Sequence, residues 1–287
     1  MNTNERAHVV FKFPMRRLAL IALFLAVEAT QVFAARTKEY DDSGLNSILR
    51  QYVHAGKVDY KALRKDKKPL AAYVENLGKV SADEYNNWSA ASKRAFWINA
   101  YNAIALKQAA DKYPCEAQTL FRFAFFPRYS PQNVNGFFSK RRFRIVEDFY
   151  SLELIQRLVL RVRMHDVKTL FATCPGAKGG PVLQSSLYEG PHLKEQLEDQ
   201  IKRTLADPKQ CRIDKAGHAL YLSEFFKWFG EDFIPLMDRT FDKPTEQEKT
   251  TAVREFIMDY VSKEDAEFLK DPTIQIIYMK YDWALND

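Results

Sequence analysis

The sequence predicts a helix-rich α+β fold, a single domain with a small, mostly antiparallel sheet. Three observations predict it. Apolar residues recur at helical spacing through much of the first half. Short alternating segments follow, two of them flanking a turn signal. No regular strand–helix alternation and no Gly-x-Gly-x-x-Gly fingerprint appears, which argues against a doubly wound nucleotide-binding sheet.

Taken in order, residues 45–52 and 70–77 read as short amphipathic helices. Residues 89–113 form the longest helical segment, with Ser89 or Ser92 as N-cap and Pro114 as the stop. Its Phe96, Ala100, Ala103, Ile104 and Leu106 keep helical spacing. Residues 126–139 carry Pro127, Pro131, Asn133, Asn135 and Gly136 and read as loop. Residues 142–146 alternate like a strand, and Ser151 opens a helix to about residue 162. Residues 168–173 read as a short buried strand that ends at the turn Pro175-Gly176-Ala177-Lys178-Gly179-Gly180-Pro181. A helix over 192–205 precedes a hairpin, 212–214 with 219–222, folded around Lys215-Ala216-Gly217. Ser223 starts another helix, 246–260 is a further one, and 274–278 is a final strand.

The N-terminus has a different character. Arg16 and Arg17 close a basic leader, and the uncharged apolar run 18–27 follows. Ten residues are too few to span a bilayer core, which takes about 20. With Val32-Phe33-Ala34 offering a cleavage site, residues 1–34 read as a signal peptide, 35–55 as a helical extension and 56–287 as the main domain. The mature chain is then expected in the periplasm or outside the cell, soluble and without a transmembrane anchor. The formal charge of +6 includes four basic and two acidic leader residues, so the remainder is about +4, too weak and mixed a signal for a nucleic-acid partner. Export also sets the redox context of Cys115, Cys174 and Cys211: one thiol must stay unpaired, and a Cys115–Cys211 bridge would leave Cys174 free.

Four segments carry candidate chemistry. In Phe96-Trp97-Ile98-Asn99-Ala100-Tyr101-Asn102-Ala103, Asn99 and Asn102 share a helix face. Two amides are poor helix formers, so they serve either to tie a neighbouring segment or to line a site with Trp97. Cys174 beside a glycine-rich turn lies where backbone N–H groups can converge, with Gly176, Lys178 and Gly179 close by. The alternative there is a buried thiol acting as a small apolar group. The third segment, 222–233, holds Trp228 and Glu231 among mostly core aromatics, and the fourth, 281–286, ends the chain with a Trp that should dock into the body. The sparse histidines show no metal-binding spacing, no cofactor motif is present, and no Gly-x-Ser-x-Gly elbow occurs.

Together the blocks at 96–103, Tyr150-Ser151-Leu152, Gly176-Ala177-Lys178-Gly179, 222–233 and Tyr281-Asp282-Trp283 resemble the domain-of-unknown-function 547 family, from about residue 58 to residue 286. The resemblance implies a histidine in the helix after Tyr150-Ser151-Leu152, another just before Phe171-Ala172, and two cysteines around the turn, a pattern of papain or transglutaminase type or else a redox or metal-binding Cys/His cluster. This chain departs at each position: Arg157 and Leu170 stand at the histidine sites, Pro175 and Gly180 at the cysteine sites. Cys174 comes one residue early, which in a strand would turn it to the opposite face.

Three functional readings follow. The first is a non-catalytic binding or scaffold protein on a degenerate thiol-hydrolase-like domain, its partner a small anionic ligand held by Arg157 and Lys178 or a protein of the envelope. The second is an exported cysteine-dependent hydrolase or transferase using Cys174 with His165 or His192 as base. The third is a thiol role built on the Cys115–Cys211 bridge.

Overall fold

The computed structural model describes residues 40–234 and 243–287. The expected signal peptide lies outside the described residues, as do residues 35–39 of the extension.

The first half is helical: α1 (Ser43–Tyr52), the short hairpin β1 (Val53–His54) and β2 (Lys57–Val58), α2 (Tyr60–Lys65), α3 (Lys68–Asn76), α4 (Ala82–Asn86) and α5 (Ala90–Lys112). Ser89 caps α5 by accepting from the Ser92 amide, and Tyr113-Pro114 ends it. Along α5, Phe96 through Leu106 are all buried, so the helix is apolar nearly all round and sits at the centre of the first core rather than on its surface. After α6 (Leu120–Phe125) come the hairpin β3 (Phe143–Ile145) and β4 (Asp148–Tyr150) and then α7 (Leu152–Leu154), capped by Ser151. Helix α7 widens into a π-helix over Ile155–Arg163.

Residues 168–173 are not a strand. They form a 3-10 helix, Val167–Ala172. The Asp166 carboxylate accepts from the Lys168 amide, and the Thr169 hydroxyl donates back to the Asp166 carbonyl. With backbone partners available locally, β-branched and aromatic residues adopt a tight turn despite their strand preference. The strand-alternation argument for the orientation of Cys174 therefore does not apply.

The second half runs through α8 (Leu193–Ala206), β5 (Cys211–Asp214), β6 (Ala219–Ser223), α9 (Glu224–Trp228), α10 (Glu246–Met258), α11 (Lys263–Leu269) and β7 (Gln275–Met279). Strands β5 and β6 pair antiparallel with Cys211 opposite Leu222, while β7 adds parallel to β6 with Leu220 opposite Ile276. Thr245 and Glu248 close a reciprocal capping box on α10. The architecture is a helix-rich α+β fold whose small sheets hold two or three strands.

Two apolar clusters form the interior. One gathers around α5; the other lies between the three-stranded sheet, α8 and α10. Two segments belong to both. Ala172 and Cys174 pack in the first while Leu170, Phe171 and Ala177 pack in the second; Leu285 packs in the first while Tyr281 packs in the second.

Candidate functional site

The turn at 175–181 is held from three sides. From below, Asn102 of α5 donates to the Ala172 carbonyl at 2.9 Å and accepts from the Cys174 amide at 2.8 Å. One turn of helix earlier, Asn99 does the same to Tyr188, donating to its carbonyl at 2.8 Å and accepting from its amide at 3.1 Å. Each side-chain amide thus imitates a strand neighbour for a segment that has none among the described residues. Both are buried and neither lines the cleft described below; their hydrogen bonds tie the two segments to the helix.

From the side, the C-terminal residues run antiparallel to the turn as a strap. Lys178 donates to Ala284 at 2.8 Å, Gly179 to Asp282 at 2.7 Å, and Asn286 to Gly176 at 3.1 Å. Gly179 must be glycine, because a Cβ there would come within 2.5 Å of the Asp282 nitrogen. Gly176 holds φ at +80°. From the third side, Gln210 donates to the Gly179 carbonyl at 2.9 Å.

Cys174 lies inside this frame, buried. The Asn286 amide approaches its sulfur at 3.6 Å, and Tyr60 donates to the same Asn286 side chain at 2.8 Å. Backbone N–H groups of Gly176 and Leu183 do point at the sulfur and favour the thiolate. Burial outweighs them and pushes the thiol up to about 11. No imidazole hydrogen-bonds Cys174 among the described residues; His165 and His192 are both exposed elsewhere. Cys115 and Cys211 are free, buried and in different core clusters, so the suggested bridge does not form. Among the described residues no group of three or more His, Cys, Asp or Glu side chains is placed to hold a metal ion.

The chemistry-bearing surface lies just above the thiol. Thr173, Pro175 and Pro181 form one side of a cleft of about 270 Å³, and Tyr101 reaches it from α5. The opposite wall is aromatic: Trp228 and Phe229 from the end of α9, Tyr281 and Trp283 from the strap, and Phe138. The rings pack on one another, Tyr281 at 4.5 Å from Trp283 and 4.8 Å from Trp228. Gln132, Gln156 and Glu153 supply the polar contacts, Glu153 being the acidic side chain of the lining.

Of the residues expected at a site, Trp228 lines this cleft. Gly176 and Gly179 are not in the lining; they lie in the turn, joined to the strap through Asn286 and Asp282. Trp97 is buried, donating to the Tyr85 hydroxyl at 2.8 Å and packed edge-on against Tyr150. Glu231 pairs with Arg161 at 3.2 Å. Arg157 and Lys178 are both exposed and neither is part of the lining. Sequence reasoning missed Tyr101, Phe138, Glu153 and Gln156. The signal for Glu153 and Gln156 was their spacing of three on the helix that Ser151 opens, which puts both on one face.

Residues 85–204 match the family model described as "Protein of unknown function, DUF547". This segment is a DUF547 domain. It contains α5, the Ser151 helix, the turn and most of α8, whereas the blocks at 222–233 and 281–283 lie beyond the match. No curated protein and no solved structure matches the chain. Pro175 and Gly180, which stand at the two cysteine positions the resemblance implies, are side by side: a Cβ on Gly180 would lie 2.8 Å from the Pro175 Cδ. One side of the cleft is the turn, within the matched segment; of the aromatic wall, Phe138 lies within that segment and Trp228, Phe229, Tyr281 and Trp283 lie beyond it.

Proposed function

We propose that this DUF547 protein is an exported, non-catalytic binding protein whose ligand sits in the aromatic cleft beside the 175–181 turn. The observation that carries the reading is the pairing of that cleft with a thiol that is buried, pushed up to about 11 by that burial, and without an imidazole partner among the described residues. A nucleophilic thiol needs the opposite surroundings, a lowered pKa and access. The cleft itself has the composition of a small-molecule site, apolar and aromatic walls with a few polar groups.

Its chemistry selects against anions. The ring faces carry negative quadrupole potential, and Glu153 adds a carboxylate. Arg157 and Lys178 stand outside the lining, which weighs against the anionic ligand expected from them. A small neutral or cationic organic group with an apolar face fits best. Intrinsic tryptophan fluorescence tests this with three probes of one shape: choline, 3,3-dimethylbutanol and 3,3-dimethylbutyrate. Saturable quenching by the first two, abolished in Trp228→Ala and kept in Arg157→Ala, is expected. Preferential binding of the carboxylate, or quenching unchanged by Trp228→Ala, would refute it. Export is supported by the leader pattern at 1–34 and is tested by N-terminal sequencing of the protein recovered from the cell exterior or envelope, which should begin at residue 35.

A further inference from the structure

The aromatic run Phe121-Arg122-Phe123-Ala124-Phe125-Phe126 has no part in the cleft. It forms helix α6 at the tip of an excursion that leaves the body at Cys115 and returns at Ser130. The base is firmly built. Ser130 donates to Cys115 at 3.0 Å, Ala117 to Arg128 at 2.9 Å, and the buried Asn133 amide reaches the carbonyls of Cys115, Pro127 and Arg128. The tip is the reverse of buried: Leu120 is 91%, Phe121 72%, Phe123 58% and Phe125 63% exposed.

We propose that this tip inserts into the surface of an anionic lipid bilayer and holds the protein there peripherally. Two observations choose that occupant over a protein partner. First, at about 100° per residue Leu120, Phe121, Phe123 and Phe125 fan over about 200° of the helix, and Arg122, which donates to the Gln132 carbonyl, faces the body. A flat protein surface would cover one flank of such a tip; a fluid interface surrounds it. Second, the recess adjoining the stem is lined by Lys61, Arg64 and Lys65 against one carboxylate, Asp287. Arg64 is anchored on the stem, donating to the Tyr113 carbonyl at 2.9 Å. An apolar tip beside a cationic shoulder is the arrangement that anionic headgroups attract. No described helix is long and apolar enough to cross a membrane, so the attachment is to the surface.

The test places an environment-sensitive NBD fluorophore on Phe123→Cys in the full chain; the three native thiols are buried and stay unlabelled. A label at this position reports the tip whatever the apolar leader does. With phosphatidylcholine vesicles containing phosphatidylglycerol, the emission should shift to the blue and be quenched by nitroxide-labelled acyl chains. Adding Leu120→Ser, Phe121→Ser and Phe125→Ser should weaken this insertion by more than about tenfold, because most of the buried apolar area is removed. Lys61→Gln with Lys65→Gln should lower it on anionic vesicles only. These side chains are exposed, so the circular dichroism spectrum should not change. Absence of a shift, insertion unaffected by the triple substitution, or a shift that appears without vesicles as protein concentration rises would overturn the proposal, the last in favour of self-association.

Discussion

Asn102 contributes more through what it leaves satisfied than through the bonds themselves. Its truncation to Ala would strand the Cys174 amide and the Ala172 carbonyl in a dry interior, at about 1–3 kcal/mol for each group. Denaturant unfolding of Asn102→Ala should therefore show a loss of about 2–4 kcal/mol, with the m-value unchanged. Asp42 works in the opposite sense. It accepts from Tyr73 and, at 3.1 Å, from Asn99, but burial dominates and raises its carboxyl to about 6. Between about pH 4 and pH 6 the folded chain keeps a proton that the unfolded chain has released, so this group makes stability fall as pH rises through that window. The contribution is about 1–2 kcal/mol once solvent screening is allowed for. Thermal unfolding from pH 4 to pH 7 should show that decline, and Asp42→Asn should flatten it.

At the scale of elements, the strap and the turn act as one unit. Gly179→Ala would push Asp282 away and pull Tyr281 and Trp283 out of the aromatic wall. Its expected signature is a lower melting temperature together with a weakened near-ultraviolet dichroism from the cleft tryptophans. Gly44→Ala is the matched control: it lies in α1 with nothing within 4 Å of the added carbon, so it should be neutral or stabilise by about 0.5–1 kcal/mol. Equal loss in both variants would show that helix and turn glycines are not distinguished by packing.

For the whole molecule, the decisive feature is that two core clusters share the segments 170–177 and 281–285. Removing everything after Lys280 would free the amides of Val58, Lys178 and Gly179 from their C-terminal acceptors and empty one wall of the cleft. The truncated chain should lose cooperative unfolding and bind the dye ANS, the behaviour of a compact state without fixed packing. A truncated chain that still melts sharply would mean that either cluster stands alone.

Much of this was legible in the residues alone. Ser89, Ser151 and Ser223 cap helices where their side chains and the following periodicity place them, because a cap is a local hydrogen bond among neighbours in sequence. The hairpin around residue 216 and the DUF547 pattern of the central segment were readable for the same reason. What only the tertiary structure decided depends on residues far apart. Segment 168–173 has strand-forming side chains, yet no strand pairs with it among the described residues, and Asp166 with α5 satisfies its backbone instead. The environment of Cys174 is set by Asn102, Tyr60 and Asn286, and their packing buries a thiol that looked accessible beside its turn, burial pushing it up to about 11. The cleft joins side chains from residue 101 to residue 283, and no spacing within a chain encodes a surface that exists only once its two ends have paired.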